Sequence, residues 1–238
     1  MEKITFIDDL KKLGISLNTT QTKQFEDYFN LLLSENEKIN LTAITKRDEV
    51  FKKHFVDSLS LIKYGMDLKD NLKIIDLGSG AGFPGIPLKI AFPQLSITLV
   101  DSLNKRVDFL EDVINELNLS DINAVHGRAE ELARQDVFRE NFDFCVSRAV
   151  ANLSTLAEYC LPFVKVNGFF ISYKAEDVSD EVSAAENSIS LLGGRFDKEV
   201  SFILPNSDIS RTLVGVRKIS ETPEKYPRRT GLPGKRPL

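Results

Sequence analysis

The sequence predicts an α/β fold built on a mostly parallel sheet with helices on both faces. From residue 72 onward, short runs rich in β-branched residues alternate with amphipathic helical stretches. Such alternation implies right-handed crossovers between parallel strands. A glycine-rich turn directly follows the first run, where open α/β sheets bind their ligands. The chain of 238 residues is long enough for one such domain and an appendage.

The front of the chain carries a helical pattern without strand signals. In "TKQFEDYFNLLLSENEKIN" the apolar residues Phe25, Tyr28, Phe29 and Leu32 recur at the spacing of one helix face. A second apolar pattern follows in "EVFKKHFVDSLSLI", after the short linker "NLTAIT". We expect residues 1–67 to form a helical extension that packs on one face of the main domain.

The elements of the main domain can be assigned in order. Strand "LKIIDL" precedes helix "GIPLKIAF", strand "SITLVD" precedes helix "NKRVDFLEDVINELNL", and strand "INAVHG" precedes "RAEELARQD". Strand "FDFCVSRA" precedes helix "NLSTLAEYCLPFV", and strand "GFFISYKA" precedes helix "VSDEVSAAENSISLLG". "RFDKEVSFIL" and "SRTLVGVRKI" are expected to close the sheet as an antiparallel pair. The resulting domain spans residues 68–220, and a tail spans 221–238.

Charge is distributed unevenly along the chain. The formal net charge is −4, which by itself argues against nucleic-acid binding. The last fourteen residues contain five basic side chains and no acidic one, which leaves 26 basic against 35 acidic residues elsewhere. A local basic patch can bind phosphate even on an acidic protein, because screening makes such interactions short-ranged. The five are Lys225, Arg228, Arg229, Lys235 and Arg236.

Compartment and metal chemistry are constrained by what the chain contains. No apolar run is long enough to span a bilayer, and the N-terminal residues lack the apolar core of a signal peptide. We therefore expect a cytoplasmic protein.

Cys145, Cys160, His54 and His126 do not form a zinc-binding spacing, so we expect no metal. Cys145 is interpreted as a small buried apolar residue, and both histidines as structural.

The glycine-rich turn distinguishes between classes of ligand. Its spacing is acid-x-G-x-G-x-G, and no Gly-Lys-Ser/Thr follows, which excludes a P-loop. Counted from the first glycine, the dinucleotide fingerprint would need glycine at position 83, where Phe83 stands. We interpret the bulky Phe83 as an obstacle to a pyrophosphate. The turn contains Asp76, Gly78, Gly80, Gly82 and Gly85.

S-adenosylmethionine is a ligand without phosphates that suits this turn. Its amino-acid end would lie over the backbone of residues 78–82, with Asp76 nearby. Asp101 ends the second strand, 23 residues after the first glycine, at the position where ribose hydroxyls are bound. Backbone groups of Ala129 and Glu130 are candidates for the adenine edge.

The motifs "DLGSGAGFPGIPL", "DSLNKRVDFL", "RAEE", "SRAV" and "YPRRTGLPGKRPL" resemble those of the bacterial 16S rRNA guanine-N7 methyltransferases, also called glucose-inhibited division protein B. The resemblance extends over nearly the whole chain and includes "NLTAI" and "HFVDSL". It implies a Rossmann-like class I methyltransferase fold with a seven-stranded sheet, and S-adenosylmethionine as the cofactor. It further implies that Gly78 and Phe83 contact the cofactor, that Ala129 and Glu130 contact its adenine, and that Arg148 borders the pocket.

The implied substrate is the N7 atom of one guanine in the decoding-region loop of 16S rRNA, as free RNA or in the small ribosomal subunit. This nitrogen carries a lone pair and no proton, so the reaction needs orientation and electrostatics but no general base. The lack of an evident acid–base pair in the sequence agrees with this chemistry. We expect a monomeric enzyme without catalytic acid or base residues.

Several basic residues are candidates for the RNA or for the charged end of the cofactor. Arg148 follows the fourth strand at the edge where substrate must enter, and could hold the cofactor carboxylate or an RNA phosphate. Lys174 follows the fifth strand, and we assign it to the RNA backbone. In the tail, Arg228, Arg229 and Lys235 are interleaved with turn residues, and we expect them to contact rRNA. On this hypothesis, charge reversal in the tail weakens RNA binding and leaves cofactor affinity intact.

Two other functions remain open from the residues alone. One is a nicotinamide-dependent oxidoreductase on a similar sheet, which tighter binding of NAD than of S-adenosylmethionine would reveal. The other is a non-catalytic RNA-binding or assembly factor, which failure to bind any nucleoside cofactor would favour. The intact glycine turn argues against this second function.

Overall fold

A computed structural model describes residues 2–68, 71–148, 151–175 and 178–238, with side chains from residue 6 onward in the first helix. Its centre is a seven-stranded sheet of order β3-β2-β1-β4-β5-β7-β6. The first five strands are parallel, and β7 pairs antiparallel with both β5 and β6. The predicted mostly parallel sheet with a closing antiparallel pair is thus confirmed. The strands are β1 (Lys73–Leu77), β2 (Ser96–Asp101), β3 (Ile122–His126), β4 (Phe142–Ser147), β5 (Val164–Lys174), β6 (Gly194–Ile203) and β7 (Ser210–Lys218).

Helices cover both faces of the sheet, and the longer ones agree with the predicted order. Of the segment "RAEELARQD" that follows the third strand, only Ala129–Leu132 is α-helical, and β5 begins four residues before its predicted start. The helices are α1 (Glu2–Lys12), α2 (Thr19–Ile39), α3 (Arg47–Val50), α4 (Asp57–Leu59), α5 (Gly85–Ala91), α6 (Asn104–Glu116), α7 (Ala129–Leu132), α8 (Leu153–Cys160), α9 (Ser179–Leu191) and α10 (Leu232–Lys235).

Alternation along the strands divides the interior into two cores. Because successive strand residues point to opposite faces, Ile74 packs with the N-terminal helices, α5 and α6, whereas Ile75 packs with α8, α9 and the tail residue Tyr226. The N-terminal helices therefore share one core with the sheet. The division into segments 1–67, 68–220 and 221–238 stays a prediction.

The second N-terminal helix is less regular than its sequence pattern predicts. Between α3 and α4 the backbone forms a π-helix, Phe51–Val56, and a 3₁₀ segment, Ser60–Tyr64, follows. π-helical turns are rare and often occur at functional sites. Here the turn brings His54 and the residues beside it towards the carboxyl edge of the sheet.

Among the helices that the structure describes, none combines the length and apolarity needed to cross a membrane.

Candidate functional site

The glycine-rich turn lies at the carboxyl end of β1, beside the end of β4. Strand order reverses between these two strands, since the chain runs outward through β2 and β3 on one side and through β5 on the other. This is the switch point at which open α/β sheets bind ligands. Gly78 and Gly82 have φ of +75° and +97°, a region that favours glycine. The predicted location of the ligand turn is therefore consistent with the fold.

Neighbouring elements hold the turn in place. The amides of Gly78 and Ser79 donate to the Val100 carbonyl at 2.9 and 3.0 Å. The amide of Gly80 donates to Asp101 Oδ2 at 3.0 Å. On the other side, the buried Tyr28 hydroxyl of α2 donates to the Ala81 carbonyl. The helical extension thus supports the turn directly.

Asp101 is oriented towards the turn and the following helix. Its carboxylate is 3% exposed and accepts from the amides of Gly80 and Leu103, and Arg106 Nη1 lies 3.4 Å away. The carboxylate therefore ties the end of β2 to the glycine turn. Its predicted contact with a ribose remains a proposal.

Asp76 lies beneath the turn and is fully buried. Its Oδ2 accepts from the amide of Gly85 at 2.9 Å, and its Oδ1 has no partner among the described residues. Burial raises the pKa of Asp76 to about 7, opposed by the hydrogen bond from Gly85. The side chain thus connects β1 to the start of α5, and does not reach the cavity above the turn.

The fourth glycine corrects the sequence argument about dinucleotides. Gly80, Gly82 and Gly85 themselves stand at G-x-G-x-x-G spacing. A β-carbon at Gly85 would collide with the Leu99 side chain on β2, so this residue allows close helix–strand packing as the third glycine of that fingerprint does. The inference that Phe83 excludes a dinucleotide was therefore wrong, and the spacing alone does not select the ligand.

Phe83 forms an aromatic wall beside the turn. It is 5% exposed, stacks on the His54 ring at 4.5 Å and lies 5.7 Å from the Tyr28 ring. The guanidinium of Arg148 lies over its face, 4.9 Å from the centroid. Tyr28 and His54, which both belong to the helical extension, thus contact the edge of the sheet at Phe83.

Arg148 is held by a buried carboxylate that also binds a second arginine. Its Nη1 donates to Asp57 Oδ2 at 3.0 Å, and Arg211 Nε donates to Asp57 Oδ1 at 2.7 Å. Asp57 itself is 3% exposed. The predicted position of Arg148 at this edge agrees with the structure, whereas the sequence did not indicate its two partners.

His54 completes the network as a neutral imidazole. Burial, followed by the charge of Arg148, lowers the pKa of His54 to about 3. His54 Nδ1 lies 3.2 Å from Arg148 Nη2 and 3.1 Å from the Lys53 carbonyl, and Nε2 lies 2.9 Å from Thr42 Oγ1. The structural interpretation of this histidine is therefore incomplete, since it also lines the site.

Two cavities share this wall. A cavity of about 160 Å³ lies over the turn and is lined by residues that include Gly78, Gly80 and Phe83. A second, of about 420 Å³, lies between the π-helix and the ends of β4, β5 and β7. His54 and Arg148 line both. The first is smaller than an ordinary ligand pocket.

The short helix α7 links the predicted adenine side of the site to the tail. The amides of Ala129 and Glu130 belong to its first turn, which has no intrahelical acceptor. The Glu130 side chain points away to the tail and accepts from the Gly231 amide at 2.8 Å. Only backbone groups of these residues are available for the predicted adenine contact.

The tail packs against the protein, and this corrects part of its predicted role. Arg228 donates through Nε and Nη2 to Glu158 of α8, whose side chain is 1% exposed. Its guanidinium is therefore engaged by a buried carboxylate. Arg229 and Lys235 are exposed, so of the three tail residues assigned to RNA, these two present cations on the surface.

Lys174 is likewise paired within the protein. Its Nζ donates to Glu181 at 2.7 Å and to the Ala151 carbonyl at 3.0 Å. The side chain is 11% exposed. Because the ammonium group already donates to these two acceptors, the structure does not offer it for the predicted contact with the RNA backbone. The last two residues of the "SRAV" motif, 149–150, lie outside the described residues.

The cysteines and possible metal ligands add little chemistry. Cys145 and Cys160 are free and buried, and burial raises the pKa of the Cys145 thiol, which keeps it protonated. His126 Nε2 lies 3.2 Å from the Ser102 carbonyl. Within the described part of the chain, no cluster of three metal-ligating side chains occurs.

Sequence reasoning missed Asp57 and Arg211 and undervalued His54. The charged residues around Arg148 come from the helical extension, from the end of β4 and from β7. No local sequence pattern connects segments so far apart in the chain. One signal was present: "HFVDSL", already noted for the resemblance, contains both His54 and Asp57.

Solved structures share the fold at low sequence identity. The YcgJ protein from Bacillus subtilis superposes with a TM-score of 0.52 at 14% identity, over 68% of this chain and 98% of that one. The fibrillarin pre-rRNA processing protein of Methanococcus jannaschii gives a TM-score of 0.51 at 19% identity, over 65% and 70% of the two chains. The predicted Rossmann-like fold is thereby confirmed.

Sequence relatives are much closer. The ribosomal RNA small subunit methyltransferase G of Lachnoclostridium phytofermentans is 54% identical over 98% of this chain and 96% of that protein. The protein of the same name from Alkaliphilus metalliredigens is 50% identical over 99% and 98%. The family model "GidB: rRNA small subunit methyltransferase G" matches residues 21–210. The glycine turn at the switch point, with matches over nearly the whole chain, shows that this chain belongs to the rRNA small subunit methyltransferase G family.

Proposed function

We propose that the chain transfers the methyl group of S-adenosylmethionine to N7 of one guanine in the decoding-region loop of 16S rRNA. The observation that carries this function is membership of the family, together with a glycine turn at the switch point of a class I sheet. We further propose that the enzyme works as a monomer in the cytoplasm, where ribosomal subunits and their RNA are found.

The residues at the turn fit the cofactor. A β-carbon at Gly78 or Gly80 would meet no side chain within 4 Å, and the cavity above these two residues extends to Phe83 and Arg148. We assign the amino-acid end of the cofactor to this cavity, with the Arg148 guanidinium near its carboxylate. Asp76 contributes by holding the turn from below.

The ribose and adenine positions are assigned from the neighbouring strand ends. Asp101 ends β2 and already touches the turn through the Gly80 amide, so its carboxylate is the candidate for the ribose hydroxyls. The first-turn amides at Ala129 and Glu130 are candidates for the adenine edge.

The reaction requires little acid–base chemistry from the protein. When bound, S-adenosylmethionine supplies a methyl group on a sulfonium. Guanine N7 carries a lone pair and no proton, so the protein needs only to orient this atom and exclude water. The neutral His54, with a pKa of about 3, adds no positive charge beside a base that becomes cationic.

The RNA contacts are proposed for exposed cations. Arg229 and Lys235 lie on the surface of the tail, and phosphate oxygens are the natural partners of such side chains. For Lys174 and Arg228, any RNA contact would require them to leave Glu181 and Glu158. Arg229 and Lys235 are therefore stronger candidates for RNA contacts than Lys174 and Arg228.

The decisive experiment maps N7-methylguanine in 16S rRNA from cells with and without the gene. We expect one such nucleotide to disappear without the gene and to return with the wild-type copy. A Gly82→Val copy should not restore it, because a β-carbon there meets Ile86 and Tyr28 and the turn would be displaced. An unchanged methylation map would contradict the proposed function.

Calorimetry on the purified protein distinguishes the remaining alternatives. We expect S-adenosylhomocysteine to bind and NAD not to. Tighter binding of NAD would instead support an oxidoreductase.

A further inference from the structure

A larger cavity lies beside the glycine turn, next to the part of the site that is proposed for the cofactor. Its volume is about 420 Å³, and the turn itself does not line it. It shares His54 and Arg148 with the cavity over the turn, so a molecule in one lies next to a molecule in the other. This position suits the second reactant of a transfer reaction.

The cavity continues onto the surface of the molecule. Ala175 and Arg211 line both this cavity and a groove of about 900 Å³ along the β6–β7 hairpin. A nucleotide within a polymer needs such an exit, because the strand on either side of it must remain outside. Enzymes that act on a single base commonly take it out of the stack into a pocket.

Arg211 offers a fixed hydrogen-bond donor at the junction of cavity and groove. Its Nε donates to the buried Asp57 at 2.7 Å, and its Nη1 donates to the Ser210 carbonyl at 2.9 Å. Its Nη2 has no acceptor among the residues that the structure describes. Because Asp57 also holds Arg148 at 3.0 Å, one carboxylate orients both guanidinium groups of the cavity.

We propose that this cavity receives the acceptor nucleotide, and that Arg211 Nη2 donates a hydrogen bond to an oxygen of that nucleotide. The oxygen is guanine O6 or a phosphate oxygen next to the base, which share the chemistry of a strong acceptor. The adjoining strand leaves the cavity past Arg211 into the groove along the β6–β7 hairpin, whose lining also includes Glu199 and Asp208. The inference rests on the proposed function, since it names where the substrate of that reaction binds.

The test compares Arg211→Gln and Arg211→Lys with Arg217→Gln. Arg217 lies on the same strand at the opposite edge of the sheet, where it contacts Asn167, and serves as the matched control. Arg211→Lys keeps a cation beside Asp57 but removes the forked second nitrogen, which guards against a folding defect. The substrate is small subunits, or rRNA from them, prepared from cells that lack the gene.

We expect both Arg211 variants to lower kcat/KM for the RNA about 10- to 100-fold, as loss of a hydrogen bond from a charged group does. The affinity for S-adenosylhomocysteine should stay within about twofold of wild type, which also shows that the variants fold. Arg217→Gln should match wild type in both measurements. An active wild-type enzyme with unchanged kcat/KM in Arg211→Gln would overturn the inference, whereas an inactive wild type would instead overturn the proposed function.

RNA carrying 2-aminopurine at the target position distinguishes the two oxygens, because this base retains N7 but lacks O6. If Arg211 binds O6, wild type is slowed on this RNA and Arg211→Gln treats both RNAs alike. If Arg211 binds phosphate, the variant loses the same factor on both RNAs. Either pattern supports the site, and equal rates for wild type and variant on both RNAs contradict it.

Discussion

Arg148 and Arg228 are both held by buried carboxylates, yet they belong to different kinds of surface. Arg148 shares Asp57 with Arg211 at the wall of two cavities. Arg228 is bound by Glu158 on the opposite side of the sheet, where the tail packs against α8. The comparison teaches that the carboxylate which the fold brings to a basic residue decides whether that residue lines a cavity, as Arg148 does, or anchors a segment of the chain, as Arg228 does.

The Arg228–Glu158 ion pair, which holds the tail against α8, gives the largest expected effect on stability. Arg228→Ala would leave Glu158 buried without its cation, and removing one partner of a buried pair costs about 3 to 5 kcal/mol. We expect the free energy of unfolding in urea to fall by about that amount. Arg229→Ala, which removes an exposed cation from the adjacent position, should change it by less than about 0.5 kcal/mol. Equal values for the two variants would show that the ion pair does not anchor the tail.

The region of the glycine turn can be tested through the pH dependence of stability, because burial raises the pKa of Asp76 to about 7. The unfolded carboxyl loses its proton near 3.8, so between these values the folded state binds more protons. Stability therefore decreases as pH rises through this window. The difference between the folded and unfolded pKa of Asp76 corresponds to a loss of at most about 4 kcal/mol in the free energy of unfolding across this window.

Asp76→Asn removes this penalty and keeps an acceptor for the Gly85 amide. We expect the variant to gain stability relative to wild type as pH rises from about 4 to about 8, measured by urea unfolding at each pH. A difference that does not vary with pH would mean that Asp76 is not protonated in the folded protein.

The smallest expected effect on the protein itself concerns the exposed cations of the tail. Arg229→Gln with Lys235→Gln should leave folding and S-adenosylhomocysteine affinity unchanged and weaken rRNA binding. The slope of log affinity against log salt should decrease by about 1.5, as expected for two lost phosphate contacts. An unchanged slope would assign the RNA contacts to other residues and restrict the tail to a structural role.

Much of the fold was predictable because its signals are local. The alternation of β-rich runs and amphipathic helices predicted the seven strands in order, since each strand must bury one or both faces. The π-helix at 51–56 was not predictable, because its apolar residues also satisfy an ordinary helical spacing. The glycine turn was located correctly, although Gly85 showed that its spacing does not decide between ligands.

The sequence by itself determined the class of sheet, the position of the ligand turn after β1 and the family. The tertiary structure decided which charged residues face the site. Arg228 meets a carboxylate 70 residues away and Arg211 meets one 154 residues away, and no local pattern encodes such pairings. The physical reason is that a buried charge requires a partner, and only the folded chain settles which partner is within reach.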